Sequence, residues 1–394
     1  MFIRIHSFIS VLVLLTLVLF LVMTSCAPST SPTSLPSPSP ETPAESSPPS
    51  SPEPPAPVLA ELNLVAEPSN QKKLDVELVY SGADQPALCY LGAYAMLAKF
   101  GDSDIDFTDV VANSGIGASA LYIPQVNILT DGSFLESIQM SARNQGFDYY
   151  LIAEKGAMIT DDFMCADLPK DAKQVLWVEN RDAAFELLKR LISTDIPVEV
   201  HLDLYPIREP LTKHTSYMQT IFNYMGARHA DHYFTVTGYD DSFVYLNDPT
   251  EKAAGMGKDI PINISGFLSA WVGSDPSMAA SDRIGPYWML FLGKRGTAKS
   301  ANELLSWNKD IAAKAPGEIR KAADNPNIDG LLHCSNMYRA RKEFGLFLKG
   351  NGHIEAGNMF LEASELFRGL CQSSNPKADL LKIADLQEQA LTKW

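Results

Sequence analysis

Two strand-length runs joined by almost nothing limit this chain more than any other feature. Residues 233–239 (YFTVTGY) and 243–246 (FVYL) are rich in β-branched and aromatic side chains, and only Asp240, Asp241 and Ser242 separate them. So short a connection forces an antiparallel hairpin. The start of the first strand then lies beside the end of the second. His232 and Asp248, the latter within Asn247-Asp248-Pro249, become neighbours. An imidazole beside a carboxylate is the orienting half of a nucleophilic site. His229 is a rival base, but it precedes the strand, where a loop holds it less firmly. His229 and His232 could share a metal, yet a full ligand set at matching spacing is missing, and no metal or cofactor is expected.

The other half of such a site lies far upstream, in residues 84–101, DQPALCYLGAYAMLAKFG. Leu91, Ala95, Met96, Leu97 and Phe100 recur at helical spacing, which predicts a buried helix with Cys89 in its first turn. The positive end of the helix dipole favours a thiolate there. Gln85, four residues earlier, can place an amide donor beside the sulfur. Thiol, imidazole and carboxylate together are the parts of cysteine nucleophilic catalysis. Two plainer readings compete: a Cys89–Cys165 disulfide, and a core thiol with no chemistry. Of the five cysteines, Cys334 and Cys371 share the C-terminal helical region and could pair in an oxidising compartment.

The ends of the chain are set apart by composition. Arg4 precedes an apolar run over residues 8–23, the pattern of a secretory signal. An uncleaved membrane anchor is the alternative, since the run approaches spanning length. Residues 27–57 are almost wholly Ser, Pro, Thr, Ala and Glu, which cannot bury apolar surface. About thirty such residues in polyproline II geometry reach on the order of 90 Å, a spacer between a membrane and a domain. The formal net charge of −15 argues against nucleic acid as a partner.

The expected order of elements is α+β. Residues 74–79 alternate like a strand, 107–111 and 134–144 read as helices, and 149–152 as a strand. Residues 113–117 contain two glycines but lack the lysine and spacing of a phosphate loop, and read as a turn near the active site. Residues 183–193 form an amphipathic helix leading into a strand over 196–205. On that strand Val198, Val200, Leu202 and Leu204 share one face and His201 and Asp203 the other, a His-x-Asp pair that could be metal-linked or catalytic but more often is the polar side of a strand. A helix at 265–271 and a closing strand at 288–293 follow. From residue 300 the pattern is helical, with a break at Gly350-Asn351-Gly352 and packing stripes such as Phe360, Ala363, Leu366, Phe367 and Leu370.

With these residues in hand, the chain resembles the papain-like cysteine enzymes of the C39-like peptidase group. The likeness rests on Gln85 before Cys89, on HYFTVTGYDD from His232, and on the later Asn247-Asp248-Pro249. Within that clan the order of elements is similar to the butirosin biosynthesis protein H family of acyltransferases, through CYLGAYAMLAKFG, residues 115–117 and DIPVEVHLDLYPI from Asp195. Met23-Thr24-Ser25-Cys26 resembles the lipobox of bacterial lipoproteins, whose cysteine becomes the lipidated first residue. The resemblance implies a signal peptide over 1–26, a linker over 27–57, a papain-like domain over 58–298 with a helical side and an antiparallel sheet, and a helical domain over 299–394. It implies a triad of Cys89, His232 and Asp248, with Gln85 at the oxyanion. The expected activity is amide hydrolysis or acyl transfer on a peptide or an acylated small molecule. The expected location is the outer face of the cell membrane, through a lipid on Cys26. The alternative is a silent papain-like lipoprotein that binds peptides or cell-wall fragments.

Overall fold

The sequence gathers its apolar surface into one long helix and the sheet beneath it. The computed structural model describes residues 62–81, 88–124, 128–132, 134–155, 175–218, 222, 231–251, 253, 255–273, 285–325, 334–370 and 372–394. Helix α1 (Cys89–Gly101) is buried without a break from Tyr90 to Ala98, so it is a core helix on every side rather than an amphipathic one. Helix α2 (Phe107–Ser114) starts on a reciprocal cap between Asp106 and Asp109. It is three residues longer than its apolar pattern marks.

Strands β2 (Leu121–Ile123) and β3 (Ile128–Thr130) pair as a separate antiparallel ribbon, and the central sheet is mixed. Strand β4 (Phe147–Glu154) runs parallel to the edge strand β5 (Val175–Val178), the departure from an all-antiparallel expectation. The other neighbours are antiparallel: β10 (Met289–Arg295) between β4 and β6 (Val198–Asp203), then β7 (Asp231–Tyr239), β8 (Phe243–Asn247) and β9 (Ile260–Asn263). The last strand in the chain, β10, therefore sits in the middle of the sheet, not at its rim. Residues 74–79, expected as a strand, alternate buried and exposed but form no strand; pairing with β7 runs through β1 (Lys72–Lys73), against Tyr239 and Gly238, and ends with the Leu74 N–H on the Thr237 carbonyl at 2.7 Å. Past that point the Asn247 amide donates to the Val76 carbonyl at 3.1 Å, so a side chain does what a neighbouring strand would do.

All six residues of β6 are buried, so the face carrying His201 and Asp203 is no solvated surface. On that face His201 pairs with Asp231 and Asp203 accepts from the Tyr205 N–H. Helix α1 covers the centre of the sheet, where Thr235 on β7 donates to the Ala93 carbonyl at 3.1 Å. Helices α3 (Phe134–Gln145) and α4 (Arg181–Ser193) flank it, and Phe185 of α4 meets Phe267 of α6 (Ile264–Ala270). The short α5 (Arg208–His214) lies between β6 and β7 in the chain.

Residues Pro55–Trp394 make one compact unit, in which structure becomes all-helical at Ala301. The last five helices are α7 (Ala301–Ala312), α8 (Ala315–Ala323), α9 (Cys334–Gly350), α10 (Ile354–Leu370) and α11 (Pro376–Lys393). Gly350–Gly352 separates α9 from α10 as the sequence implies, and Phe360, Ala363, Phe367 and Leu370 are buried packing residues. The turn at 115–117 exists, and it faces these helices. A side chain at Gly117 would collide with Phe344 Cβ and stand 2.7 Å from the Ala340 carbonyl. Thr108 to Glu343 (2.6 Å), Asn308 to the Ala112 carbonyl (2.9 Å) and Arg341 to the Ser119 carbonyl (2.5 Å) complete that junction. Residues 1–57, with Cys26, lie outside the described residues, as do Cys165 and Cys371. Among the described residues no helix is long and apolar enough to cross a membrane.

Candidate active site

Three elements converge at one end of the sheet. Cys89 is the first residue of α1, half-buried, and is free of any disulfide. Leu88 before it adopts a left-handed conformation (φ 55°) and gives the helix no side-chain cap. The N–H groups of the first turn are therefore left over by the helix itself and point out beside the sulfur. His232 is the second residue of β7, and Asp248 follows the last residue of β8.

The His232 Nε2 donates to Asp248 Oδ1 at 3.1 Å, and both side chains are all but sealed from solvent, at 6% and 0% exposure. The Cys89 sulfur acts on the same ring both as a charge and as a hydrogen-bond partner. Burial works against a charged imidazole here. Cys89 and then Asp248 overcome it, and the ring is held protonated up to about 10. Asp248 is shifted the other way. Burial favours its neutral form, but the His232 charge and the hydrogen bonds from His232, Tyr217 and Thr250 outweigh this and hold the carboxyl below its ordinary range.

The Asp248 carboxylate is fully supplied with donors. Oδ1 takes the Thr250 backbone N–H at 2.9 Å and its hydroxyl at 2.8 Å, besides the His232 ring. Oδ2 takes the Tyr217 hydroxyl at 2.6 Å. Thr250, two residues after the aspartate, is an Asx-turn signal readable in Asp248-Pro249-Thr250. Tyr217 has no local signal; it arrives from the loop after α5.

Packing fixes where the helix head stands. Gly92, one turn into α1, lies against the Asp-Pro turn. A side chain there would come within 2.5 Å of Ser81 and 2.6 Å of Pro249 Cβ. Ser81 in turn donates its N–H and hydroxyl to the Pro249 carbonyl, at 2.7 and 3.1 Å. Gly92→Val is expected to push α1 off that turn and slow alkylation of Cys89 at least tenfold, with the far-ultraviolet spectrum retained. An unchanged alkylation rate would show that the close approach does not position the sulfur.

Two buried acids stand nearby. Glu199 of β6 is wholly enclosed, and neither of its oxygens has a partner among the described residues. Burial, and then the charge of Cys89, push its carboxyl well above the ordinary range, so it is held neutral. Glu199 lies on the polar side of the strand read from His201 and Asp203, and its place in that alternation is the signal that marks it. His201 pairs with Asp231 at 3.6 Å, and the Tyr205 N–H donates to Asp203 at 3.0 Å, so the His-x-Asp pair is engaged in holding strand ends. Among the described residues no cluster of three ligands could hold a metal ion. Gln85 and His229 lie outside the described residues.

No family profile matches the chain, and no curated protein does. Among solved structures it is similar to a candidate C39-like peptidase from Bacillus anthracis, at 12% identity and a TM-score of 0.33. That likeness covers 58% of this chain and the whole of the other.

Proposed function

We propose that this chain is a thiol-dependent enzyme of papain-like kind that breaks or transfers an acyl bond through a thioester on Cys89. The observation that carries the reading is the enclosed His232–Asp248 pair, 3.1 Å apart, with Cys89 of the helix head acting on the same ring. Such a ring, held protonated up to about 10, carries a proton for the leaving group and sets a positive charge beside the sulfur.

In the proposed reaction the Cys89 sulfur adds to the substrate carbonyl, and the carbonyl electron pair moves onto oxygen. The N–H groups at the head of α1 receive the oxyanion, with Gln85 as the side-chain donor on the strength of its sequence position. Each such donor is worth about 2.7–4 kcal/mol in comparable sites. His232 gives its proton to the leaving amine as the carbon–nitrogen bond breaks. Water, deprotonated by the now neutral ring, hydrolyses the thioester; an amine in its place completes an acyl transfer. A lipid on Cys26 and the spacer over residues 27–57 tether this domain outside the membrane.

Iodoacetamide at pH 6 tests the reading. Cys89 is expected to react at least a hundredfold faster than Cys165, and His232→Ala is expected to erase the difference. Equal rates in the unmodified chain sink the enzyme and leave a papain-like binding protein.

A further inference from the structure

The loop after α5 is tied down over the site more firmly than a loop needs to be. Glu251, 1% exposed, receives the Ser216 backbone N–H, the Ser216 hydroxyl at 2.8 Å and the Ala253 N–H at 2.6 Å. Gly257 donates its N–H to the His214 carbonyl at 2.9 Å, closing the other side of the loop. This clamp delivers the next residue, Tyr217, into the site. Its hydroxyl donates to Asp248 Oδ2 at 2.6 Å, lies against the Thr250 hydroxyl oxygen, and stands 3.4 Å from His232 Nε2.

The two oxygens of Asp248 are unequally served. Oδ1 has three donors, whereas Tyr217 is the donor to Oδ2. We infer that Tyr217 is a positioning residue of the proposed thiol enzyme, clamped by Glu251, which locks the Asp248 carboxylate in its charged form and in the rotamer that meets His232. This rests on the reading of Cys89, His232 and Asp248 as a reacting set. A carboxylate enclosed with one oxygen unpaired is costly to keep charged, so without the phenol Asp248 takes up a proton more easily. The ring then loses the support that keeps it paired with the sulfur. The ionisable groups facing Asp248 are His232 from β7, Tyr217 from the loop, and Cys89 from α1 beyond the ring. Tyr217 itself stays a phenol. Burial, then the Asp248 charge, raise it well above its ordinary value, so it can only donate.

The test is the pH profile of Cys89 alkylation by iodoacetamide in the full chain, between pH 3.5 and 8, for the unmodified protein and Tyr217→Phe. The acid limb of Tyr217→Phe is expected to move up by about one pH unit, a roughly tenfold slower reaction on the acid side with recovery to the unmodified rate by pH 7. Glu251→Gln leaves the reacting residues untouched and is expected to move the limb the same way by less. A rate lowered equally at every pH, or an unmoved limb in both variants, overturns the inference and leaves Tyr217 as packing. Absence of fast Cys89 labelling in the unmodified chain instead overturns the enzyme reading on which the inference rests.

Discussion

Asp248→Ala is expected to slow alkylation of Cys89 at pH 6 by on the order of a hundredfold, and Asp248→Asn by far less. The difference follows from the donors around the side chain. His232 as imidazolium has an N–H on each nitrogen, so the hydrogen bond asks its partner only to accept, and the carboxylate charge is a second, separate support. An asparagine carbonyl placed at Oδ1 accepts from His232 and from the Thr250 N–H, and its amide can donate to the Tyr217 oxygen. Alanine leaves the ring N–H, the Tyr217 hydroxyl and Thr250 facing a void. The protonated ring is then a buried cation without its acid, and its proton leaves far below about 10. A titration of the His232 ring by NMR reads this directly. Asparagine removes the charge and keeps the hydrogen bond, so its midpoint falls between the other two. A ring that titrates alike in all three proteins would mean that Asp248 neither charges nor orients His232.

The meeting of His232 and Asp248 was legible as a neighbourhood and not as a geometry. Counting back from the turn, with Tyr239 opposite Val244, a regular hairpin puts Asp248 opposite Thr235. Side chains alternate, so Asp248 would then face away from His232. The register slips by one residue between Val236 and Gly238, after which Thr235 faces Asn247. Continued by one step, this sets Asp248 opposite Phe234, on the face of His232. Thr237, the extra residue, turns its hydroxyl to Asp259 at 2.9 Å. A bulge is set by such tertiary contacts, and β-branched alternation over YFTVTGY carries no mark of it.

The same limit applies elsewhere. Local chemistry has short signals: the break at Gly350–Gly352 is expected from its glycines, and the Asp106–Asp109 and Ser300–Glu303 caps and the Asx turn at Asp248, absent from the expected order of elements, rest on residues only two or three positions apart. Long-range chemistry has none. Residues 74–79 have a strand's alternation, yet the Asn247 side chain takes the place of the expected partner. Tyr217 and Glu251 act through a loop whose course no periodicity describes. The strand over 198–203 reads as half polar because one side carries Glu199, His201 and Asp203, and only the packing of α1 and its neighbours buries that side.

Glu199 supplies the other large effect. Glu199→Gln is expected to make the protein more stable at pH 7 and to leave its stability at pH 4 unchanged. The carboxyl ionises freely in the unfolded chain above about 4.5. In the folded protein, burial and the neighbouring Cys89 hold the proton on well above that value. Between the two the folded state binds one more proton than the unfolded state, so stability falls as pH rises, by about 1.4 kcal/mol per pH unit. His232 acts in the same sense, but its window opens only above its unfolded value of 6.5 and runs to about 10. Asp248, shifted down, adds stability that is lost only as pH falls below 3.8. The interval from pH 5 to 6 therefore isolates Glu199 from both. Urea unfolding there should give a falling line for the unmodified protein and a line flatter by that slope for Glu199→Gln. Parallel lines would mean that the acid is ionised or paired in solution. The same neutrality serves the proposed chemistry: a protonated Glu199 sets no second anion beside the sulfur, so the amide should alkylate at Cys89 as fast as the unmodified protein at pH 6.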